Sequence, residues 1–374
     1  MFIRALFGKL KYPIGLVLCL LSGQYLYSIK NDPQAINAIV TPVPEFAPTD
    51  MVLISEYALA KESGLRIAEI VLGSKKKLGV LVNDTNGSLD EILPQDLKDH
   101  ESIILIPFAH ESIWVRDFMG IQVDRPTLQE PSRHLIDFQY RDEFVLEDRG
   151  SHQLALTIPH SVIQIPLEMD GGNFLTNGHD CFIGEESIHK FQSSDKRNLF
   201  HRALKTEIGC KNIIVFEDPP HEHVDMYLKV LNKNQVLVGQ IPPDLLKLSL
   251  SLNLETQEYL HSLKKKLDKI ADSLDKQFSV TRIAIPITGM EHFKTFLNGT
   301  LIDRTLVLPR YSFPSYLLEL GFTSELMTQL EQETELALAP LGFEVKWVNS
   351  MDLLNGGGAL HCITFQIHSQ QLPN

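Results

Sequence analysis

About five times along its 374 residues, this chain repeats a strand, a polar or glycine-containing segment, and a second strand. Helical periodicity of apolar residues appears between the repeats, as over Ala58–Leu72 and Ser324–Leu338. The repeats share almost no residue identity, and their spacing of about 50 to 75 residues is typical of one supersecondary unit each. The pattern predicts an α/β fold in which units placed around an axis bring their polar segments together.

Several local patterns predict individual elements. Ser88–Asp99 has the apolar spacing of a helix. Asn177-Gly178 predicts a hairpin turn, and Asn298-Gly299-Thr300 predicts another. The apolar segment Leu360–Ile367, which follows a run of glycines, is expected to be a strand with Cys362 at its start. A strand would present that thiol from a rigid element.

The formal net charge of -13 argues against a nucleic-acid partner, because nucleic-acid-binding proteins carry basic surfaces. An acidic chain is better suited to cationic small molecules. Four cysteines are too few for a disulfide scaffold. A bridge between Cys181 and Cys210 would leave Cys362 free, and the sequence leaves that pairing open.

The N-terminal residues 1–30 have the layout of a secretory signal. Basic residues precede the apolar run Ile14–Leu21, and no acidic residue occurs before Asp32. Cleavage stays open because leucines occupy the position of a small residue, so an uncleaved membrane tether competes with a signal peptide. We expect an exported protein (periplasmic, secreted or membrane-anchored), with a linker over residues 31–43 and one large domain over residues 44–370.

The polar segments supply a chemically coherent set of side chains: Asp117, Asp170, His223, Asp225, Asn298 and Cys362. A cysteine with a histidine elsewhere in the chain is a candidate nucleophile with its general acid/base. The carboxylates would raise the pKa of the thiol unless a cation lies among them. A guanidinium substrate provides that cation and pairs bidentately with carboxylates. The set therefore predicts attack of a thiolate on a guanidinium carbon.

Five segments together resemble the family of agmatine deiminases and Porphyromonas-type peptidylarginine deiminases, which are guanidine-modifying enzymes of the pentein fold. They occur in the family's order and span about residues 44 to 368: Pro44-Glu45-Phe46-Ala47-Pro48, Trp114-Val115-Arg116-Asp117, Asp170-Gly171-Gly172-Asn173, His223-Val224-Asp225 and Gly356-Gly357-Gly358-Ala359-Leu360-His361-Cys362-Ile363-Thr364. One such segment would be a weak signal, whereas five in order are specific.

This resemblance implies an α/β fold built as a five-bladed propeller of ββαβ units with pseudo-fivefold symmetry. It implies a hydrolase of linear amidines that converts arginine residues to citrulline, or agmatine to N-carbamoylputrescine, and releases ammonia through a covalent thiouronium intermediate. By resemblance Cys362 is the nucleophile, His223 the general acid/base, Asp117 and Asp225 the guanidinium-binding carboxylates, and Asp170 an acid near the histidine. Further motif residues are expected to line the substrate site: Trp114, Arg116, Asn173, Asn298, Gly357 and Gly358. Neither a metal nor an organic cofactor is implied.

Four positions depart from the family pattern. Asp170 stands where many agmatine deiminases have Glu, Ala359 replaces Asn, Glu222 replaces Gly, and Phe46 replaces Trp. These changes leave the reactive groups in place and bear on the substrate. Because an exported enzyme meets peptides and proteins rather than a cytosolic amine, we place peptidyl-arginine ahead of agmatine.

Two other interpretations remain open from the sequence. A non-catalytic module would bind guanidinium groups or peptides without turnover, and its Cys362 would resist alkylation at neutral pH. A zinc hydrolase would use His221, His223 and Asp225, since a His-x-His pair in a strand puts both rings on one face. The sequence lacks a third strong ligand cluster, which weighs against zinc.

Overall fold

The computed structural model describes residues 39–83, 93–98, 100–126, 131–141, 143–191, 193–286 and 293–369. The predicted signal or anchor over residues 1–30 lies outside these ranges, as do most of the predicted linker and the first part of the helix predicted from Ser88. Within the described ranges, no helix combines the length and the apolar character that crossing a membrane requires.

In these ranges seventeen strands form five separate sheets. Strands β1 to β17 are Thr41–Pro42, Thr49–Ser55, Lys77–Val82, Ile103–Pro107, Ile121–Pro126, Pro131–Gln139, Ser161–Glu168, Phe174–Thr176, Asp180–Gly184, Asn212–Phe216, Leu228–Asn232, Gln235–Gln240, Ser279–Ala284, Thr300–Ile302, Thr305–Arg310, Glu344–Asn349 and Phe365–His368. Sheet I has the order β17-β2-β3-β4, sheet II β1-β5-β6-β7, sheet III β10-β9-β8, sheet IV β11-β12-β13 and sheet V β14-β15-β16.

Eleven α-helices occur in the same ranges. Helices α1 to α11 are Glu56–Leu59, Glu62–Gly73, Gln95–Lys98, Val115–Phe118, Gly150–Ala155, Glu186–His189, Ser194–Ala203, Pro243–Ser249, Leu254–Leu274, Ser315–Leu318 and Ser324–Leu338. The longest, α9, begins after Asn253, whose side chain accepts a hydrogen bond from the backbone of Thr256. Its buried residues recur at helical spacing, from Leu260 through Leu263 and Leu267, so one face packs into the core.

Every sheet contains the same core: two antiparallel strands, a helix, and a third strand parallel to the second. In sheet IV, β11 pairs antiparallel with β12, and after α9 strand β13 pairs parallel with β12. Sheet I builds this core from both ends of the described chain, because β17 pairs antiparallel with β2. Parallel neighbours require such a helical crossover. The predicted α/β class is confirmed.

The hairpin predicted at Asn177-Gly178 is confirmed, with Gly178 at a φ of 88° between β8 and β9. The turn predicted at Asn298-Gly299-Thr300 is wrong, because β14 begins at Thr300 and the chain turns at Asp303. Asp303 has a φ of 51°, which Asp tolerates in a tight turn. Asn298 is therefore left in the connection before the sheet.

The last strand also begins later than predicted, at Phe365, so Cys362 lies in a turn and not on a strand. The hydroxyl of Thr364 donates to the carbonyl of Leu360, and its backbone N–H donates to His361, which closes this turn. Sequence periodicity did not reveal β6, and β1 lies inside the predicted linker, where Thr41–Pro42 pairs with β5.

Cys181 and Cys210 form a disulfide, with Cα atoms 5.6 Å apart, which joins β9 to the turn before β10. Cys362 is the free cysteine of the described chain. The pairing that the sequence left open is thus present.

Candidate active site

Each connection between successive sheets carries part of the predicted set of reactive residues. In chain order these are Asp117 between sheets I and II, Asp170 between II and III, His223 and Asp225 between III and IV, Asn298 between IV and V, and Cys362 between V and I. The repeated unit therefore places its polar residues at equivalent positions, on the connections between sheets.

Short helical turns begin next to three of these positions. They are α4 after Trp114 and the 3₁₀ turns Gly171–Asn173 and Val224–Met226. Asp170 and His223 keep extended backbone just before their turns. The change from extended to helical dihedrals redirects the chain within a few residues, so each side chain is held at a sharp bend.

Gly172 marks the point where three of the connections meet. A Cβ atom on Gly172 would lie 2.7 Å from Asp117 Oδ1, 2.7 Å from His223 Nδ1 and 3.2 Å from Asp225 Oδ2. Its backbone N–H donates to Asp117 Oδ1 over 3.0 Å. Only glycine leaves room for this convergence, because any other side chain would displace a functional group.

His223 lies between two carboxylates. Its Nε2 is 3.1 Å from Asp170 Oδ2, and its Nδ1 is 3.6 Å from Asp117 Oδ1. Burial opposes the charged form, but Asp117, the hydrogen bond to Asp170 and then Asp225 outweigh it and raise the pKa of His223 to about 9. The imidazole is therefore a cation at neutral pH and can act as an acid.

Asp170 is held ionised by two cations. Burial disfavours its charge, but hydrogen bonds from His223 and from Arg141, whose Nη2 is 2.6 Å away, hold the pKa of Asp170 well below its usual range. Arg141 has no place in the sequence motifs, and only the structure brings it here. Both cations contact Oδ2 of Asp170, and its buried Oδ1 has no hydrogen-bond partner among the described residues.

Among the described residues, His223 is the cation that faces Asp117. Burial raises the pKa of Asp117 to about 6; His223 opposes this rise, and the neighbouring charges of Asp170 and Asp225 add to it. The adjacent Arg116 does not pair with it. Near neutral pH, Asp117 is a carboxylate whose charge is incompletely balanced.

Cys362 is buried, with 3% of its surface exposed. Asn298 Nδ2 lies 3.3 Å from its Sγ, and Asn298 Oδ1 accepts from the backbone of Ala359 over 3.0 Å. Burial, then Asp225 and Asp117, raise the pKa of the Cys362 thiol well above its ordinary value. Without a cationic ligand this residue is a thiol, so slow alkylation at neutral pH does not by itself indicate a non-catalytic protein.

Asp225 lies between the Cys362 thiol and the buried imidazole of His361. Its Oδ2 is 3.8 Å from Cys362 Sγ and 2.6 Å from His361 Nδ1. Its Oδ1 is buried and has no hydrogen-bond partner among the described residues. A buried carboxylate oxygen without a donor is costly, and it fits a ligand that brings N–H groups.

Trp114 packs against the glycine run, which explains two of its glycines. A Cβ atom on Gly356 would lie 2.2 Å from the indole ring, and one on Gly358 would lie 2.6 Å from it. Gly357 has a φ of 79° in the left-handed region that favours glycine. Trp114 and Gly358 thereby border the Cys362 turn, since Cys362 Sγ is 3.0 Å from the Gly358 Cβ position.

Two residues predicted to line the substrate site have supporting contacts instead. The guanidinium of Arg116 contacts Gln366, lies 5.1 Å from the Phe365 ring centre and is 3.6 Å from Glu45. The Asn173 amide donates to the hydroxyl of Ser187 and accepts from the backbone N–H groups of Gly184 and Val224. These contacts fix the connections that carry Asp117, Asp170 and His223.

The histidine pair does not form a metal site. His221 Nδ1 accepts the backbone N–H of His223, while the His223 nitrogens face Asp117 and Asp170. Within the part of the chain that is described, no group of three or more His, Cys, Asp or Glu side chains could hold a metal ion. The donor set favours hydrogen bonding over zinc ligation.

Sequence reasoning missed several residues that complete the site. They are Glu45, Arg141, Gly172, Lys229 and His361, each of which contacts a predicted residue or its partner. Three of these lie inside the quoted motifs, so their position was visible although their contacts were not. Arg141 and Lys229 carry no local signal.

The described chain is thus an α/β protein of five ββαβ sheets, with a thiol, an imidazole and carboxylates on the connections between them. The chain belongs to the Porphyromonas-type peptidyl-arginine deiminase family, whose model matches residues 47–368.

Known proteins of related fold include agmatine deiminases. The agmatine deiminase of Campylobacter jejuni superposes with a TM-score of 0.64 at 16% identity, over 90% of this chain and 98% of that one. The agmatine deiminase of Enterococcus faecalis gives a TM-score of 0.63 at 14% identity, over 87% and 95% of the two chains. At these identities the likeness shows the fold.

A relative from Legionella pneumophila, provisionally named an agmatine deiminase, is 21% identical over 216 residues. The match covers 54% of this chain and 56% of the relative, so the chain spans about half the length of the curated relatives it matches. The activity therefore has to be argued from the site.

We expect Asp117→Asn to speed alkylation of Cys362. Removing that negative charge lowers the thiol pKa, and each unit increases the thiolate population up to tenfold. The measurement is the rate of iodoacetamide labelling of the Cys362 peptide at pH 8, followed by mass spectrometry. Asp272→Asn, on the exposed face of α9, is the matched control. An unchanged or slower rate in Asp117→Asn would show that Asp117 does not act on the thiol.

Proposed function

We propose that this protein is a hydrolase that deiminates a guanidinium group and releases ammonia through a covalent adduct on Cys362. The supporting observation is the unpartnered Oδ1 of Asp225, which is buried beside a thiol whose pKa is raised by burial and then by the carboxylates of Asp225 and Asp117. A guanidinium brings both missing elements, several N–H donors and a permanent positive charge.

In this proposal, binding of the guanidinium also activates the Cys362 thiol. The guanidinium lies between Asp117 and Asp225, and its charge offsets the two carboxylates that disfavour the thiolate. Cys362 then releases its proton to solvent, and the thiolate forms next to the carbon that it attacks. The enzyme thus keeps its nucleophile neutral until a substrate of the right charge arrives.

The covalent step follows from the positions of the two reactive groups. Cys362 Sγ forms a bond to the guanidinium carbon, and protonated His223 gives its proton to a terminal nitrogen, which leaves as ammonia. A cationic thiouronium remains on the enzyme. Neutral His223 next takes a proton from water, whose oxygen attacks the same carbon. The C–S bond breaks, the ureido product leaves, and the proton of the new hydroxyl passes to the thiolate.

Lys294 supports peptidyl-arginine over agmatine as the substrate. It is 5% exposed, and its ammonium lies 5.8 Å from the ring centre of Tyr311. Burial lowers the pKa of Lys294 to about 8, so most of it is still charged at pH 7. Tyr311 in turn lies close enough to Cys362 for a thiolate there to raise the Tyr311 pKa, after the larger effect of burial. A cation beside the site repels the distal ammonium of agmatine, whereas an internal arginine has none.

The disulfide supports the proposed export of the protein. Disulfides persist in oxidising compartments and are rare in the cytosol. Cys181 and Cys210 are bonded across 29 residues of sequence, in agreement with the signal-like residues 1–30. In such a compartment peptides and proteins are the accessible guanidinium carriers.

We also infer that the five sheets are blades of one propeller around the site. The support is the recurrence of the ββαβ core and the pairing of β17 with β2, which joins the last strand to the first sheet. Successive inter-sheet connections then face a common centre.

The deciding experiment is an assay for ureido product with the purified protein. Agmatine, free arginine and an internal-arginine peptide are offered side by side, and Cys362→Ala is the control. We expect product from the peptide and none with Cys362→Ala, because the variant lacks the nucleophile. Activity retained in the variant would refute the mechanism. No product from any of the three, with a folded protein, would favour the binding-module alternative.

The pH dependence of kcat/KM should be bell-shaped. Below about pH 6, Asp117 takes up a proton and loses its hold on the guanidinium, so activity falls. Above about pH 9, His223 loses the proton that the leaving ammonia needs. Initial rates from pH 5 to 10 on the best substrate test this. A profile that still climbs beyond pH 9 would exclude His223 as the acid.

Lys294→Met should raise kcat/KM for agmatine relative to the peptide by about tenfold, because a repulsion of about 1–2 kcal/mol is removed. Competition between the two substrates measures the ratio. Lys247→Met, which removes an exposed lysine with 76% side-chain exposure, is the matched control. An unchanged ratio in Lys294→Met would show that Lys294 has no part in selecting the substrate.

A further inference from the structure

His361, next to the proposed nucleophile, lies between two carboxylates. It is fully buried, its Nδ1 is 2.6 Å from Asp225 Oδ2, and its Nε2 contacts Glu45 Oε1. The mechanism above does not use this imidazole. Glu45 comes from the N-terminal lead-in to β2, so the contact joins the two ends of the described chain.

The two contacts determine the charge of the ring. An ionised carboxylate only accepts hydrogen bonds, and a neutral imidazole can donate from one nitrogen only. A neutral His361 would therefore place an unprotonated nitrogen against a carboxylate oxygen. Protonation of both nitrogens satisfies Glu45 and Asp225 together.

Both carboxylates are themselves held ionised. Glu45 Oε2 is 2.9 Å from Lys229 Nζ, and Arg116 Nη2 is 3.6 Å from Glu45 Oε1. Burial disfavours the charge of Glu45, but His361 and Lys229, together with Arg116, hold the Glu45 pKa well below its usual range. Burial likewise opposes the charge of Asp225, and its hydrogen bond and attraction to His361 hold the Asp225 pKa below its usual range.

The bond to His361 also orients Asp225. It engages Oδ2, and Oδ1 remains the unpartnered oxygen that the proposed substrate needs. We propose that His361 is a buried imidazolium that positions Asp225 for the guanidinium, and that Glu45 keeps His361 charged. The proposal rests on the proposed function only in assigning Asp225 to the substrate.

The other charged or titratable groups near this pair are Arg116, Lys229, His368 and Cys362. His368 adds no charge at neutral pH, because burial lowers its pKa to about 4, although Glu45 opposes the shift. Arg116 and Lys229 bind Glu45 and not the ring. Glu45 is therefore the group whose removal should release the second proton of His361.

The test combines nitrogen-15 NMR of histidine-labelled protein with steady-state kinetics. The His361 signal is identified by its loss in His361→Gln. We expect both ring nitrogens of His361 to carry a proton in the native protein at pH 7, and only one of them to do so in Glu45→Gln. Glu45→Asp, which keeps the carboxylate, should retain the doubly protonated ring.

The kinetic measurement should rank the native protein, Glu45→Asp and Glu45→Gln in the same order as the NMR measurement. Glu45→Gln should lower kcat/KM at pH 8 by at least about tenfold, mainly through KM, because Asp225 loses its orientation. Glu45→Asp should recover most of that loss, and Glu331→Gln, a change at a buried glutamate paired with Arg310, should leave kcat/KM unchanged.

A native His361 with one protonated nitrogen at pH 7 would overturn the proposal. So would a folded Glu45→Gln protein in which both His361 nitrogens are still protonated at pH 7 and kcat/KM is unchanged. The NMR result does not depend on turnover, so it distinguishes failure of this inference from failure of the deiminase function.

Discussion

The burial of carboxylates around a neutral thiol is the interaction on which the rest of the site depends. Asp170 is compensated by Arg141 and His223, and Asp225 is compensated on one oxygen by His361. The negative charge that remains belongs to Asp117 and to the free oxygen of Asp225. Burial and both of these carboxylates raise the pKa of the Cys362 thiol, so a cation bound among them would favour the thiolate.

The fold makes this arrangement possible because the sheets form the framework and the connections between them carry the polar residues. The five sheets bury the apolar strands, and the short connections between them hold the polar groups at sharp bends. Glycine at position 172 lets three connections approach one another, and Gly356 and Gly358 let the Trp114 ring pack on the Cys362 turn. Every candidate reactive residue lies outside a strand and is held in place by these close contacts.

A second layer of charged and polar side chains lies behind the carboxylates that surround Cys362. Lys229 and His361 both contact Glu45, and Arg116 faces this layer and not the thiol. Lys229 and Glu45 are 184 residues apart, and His361 and Glu45 are 316 apart. No local pattern links such positions, so the sequence motifs marked the candidate reactive residues but not the residues that support them.

From the sequence alone followed the α/β class, the order of the repeated units and the reactive residue types, because periodicity and side-chain chemistry are local properties. The Asn177-Gly178 hairpin followed too, since its turn chemistry is local. The tertiary structure decided that Cys362 lies in a turn, that Asn298 faces its thiol, and which groups are charged. Those properties depend on burial and on distances between residues far apart in the chain, and a pKa is set by both.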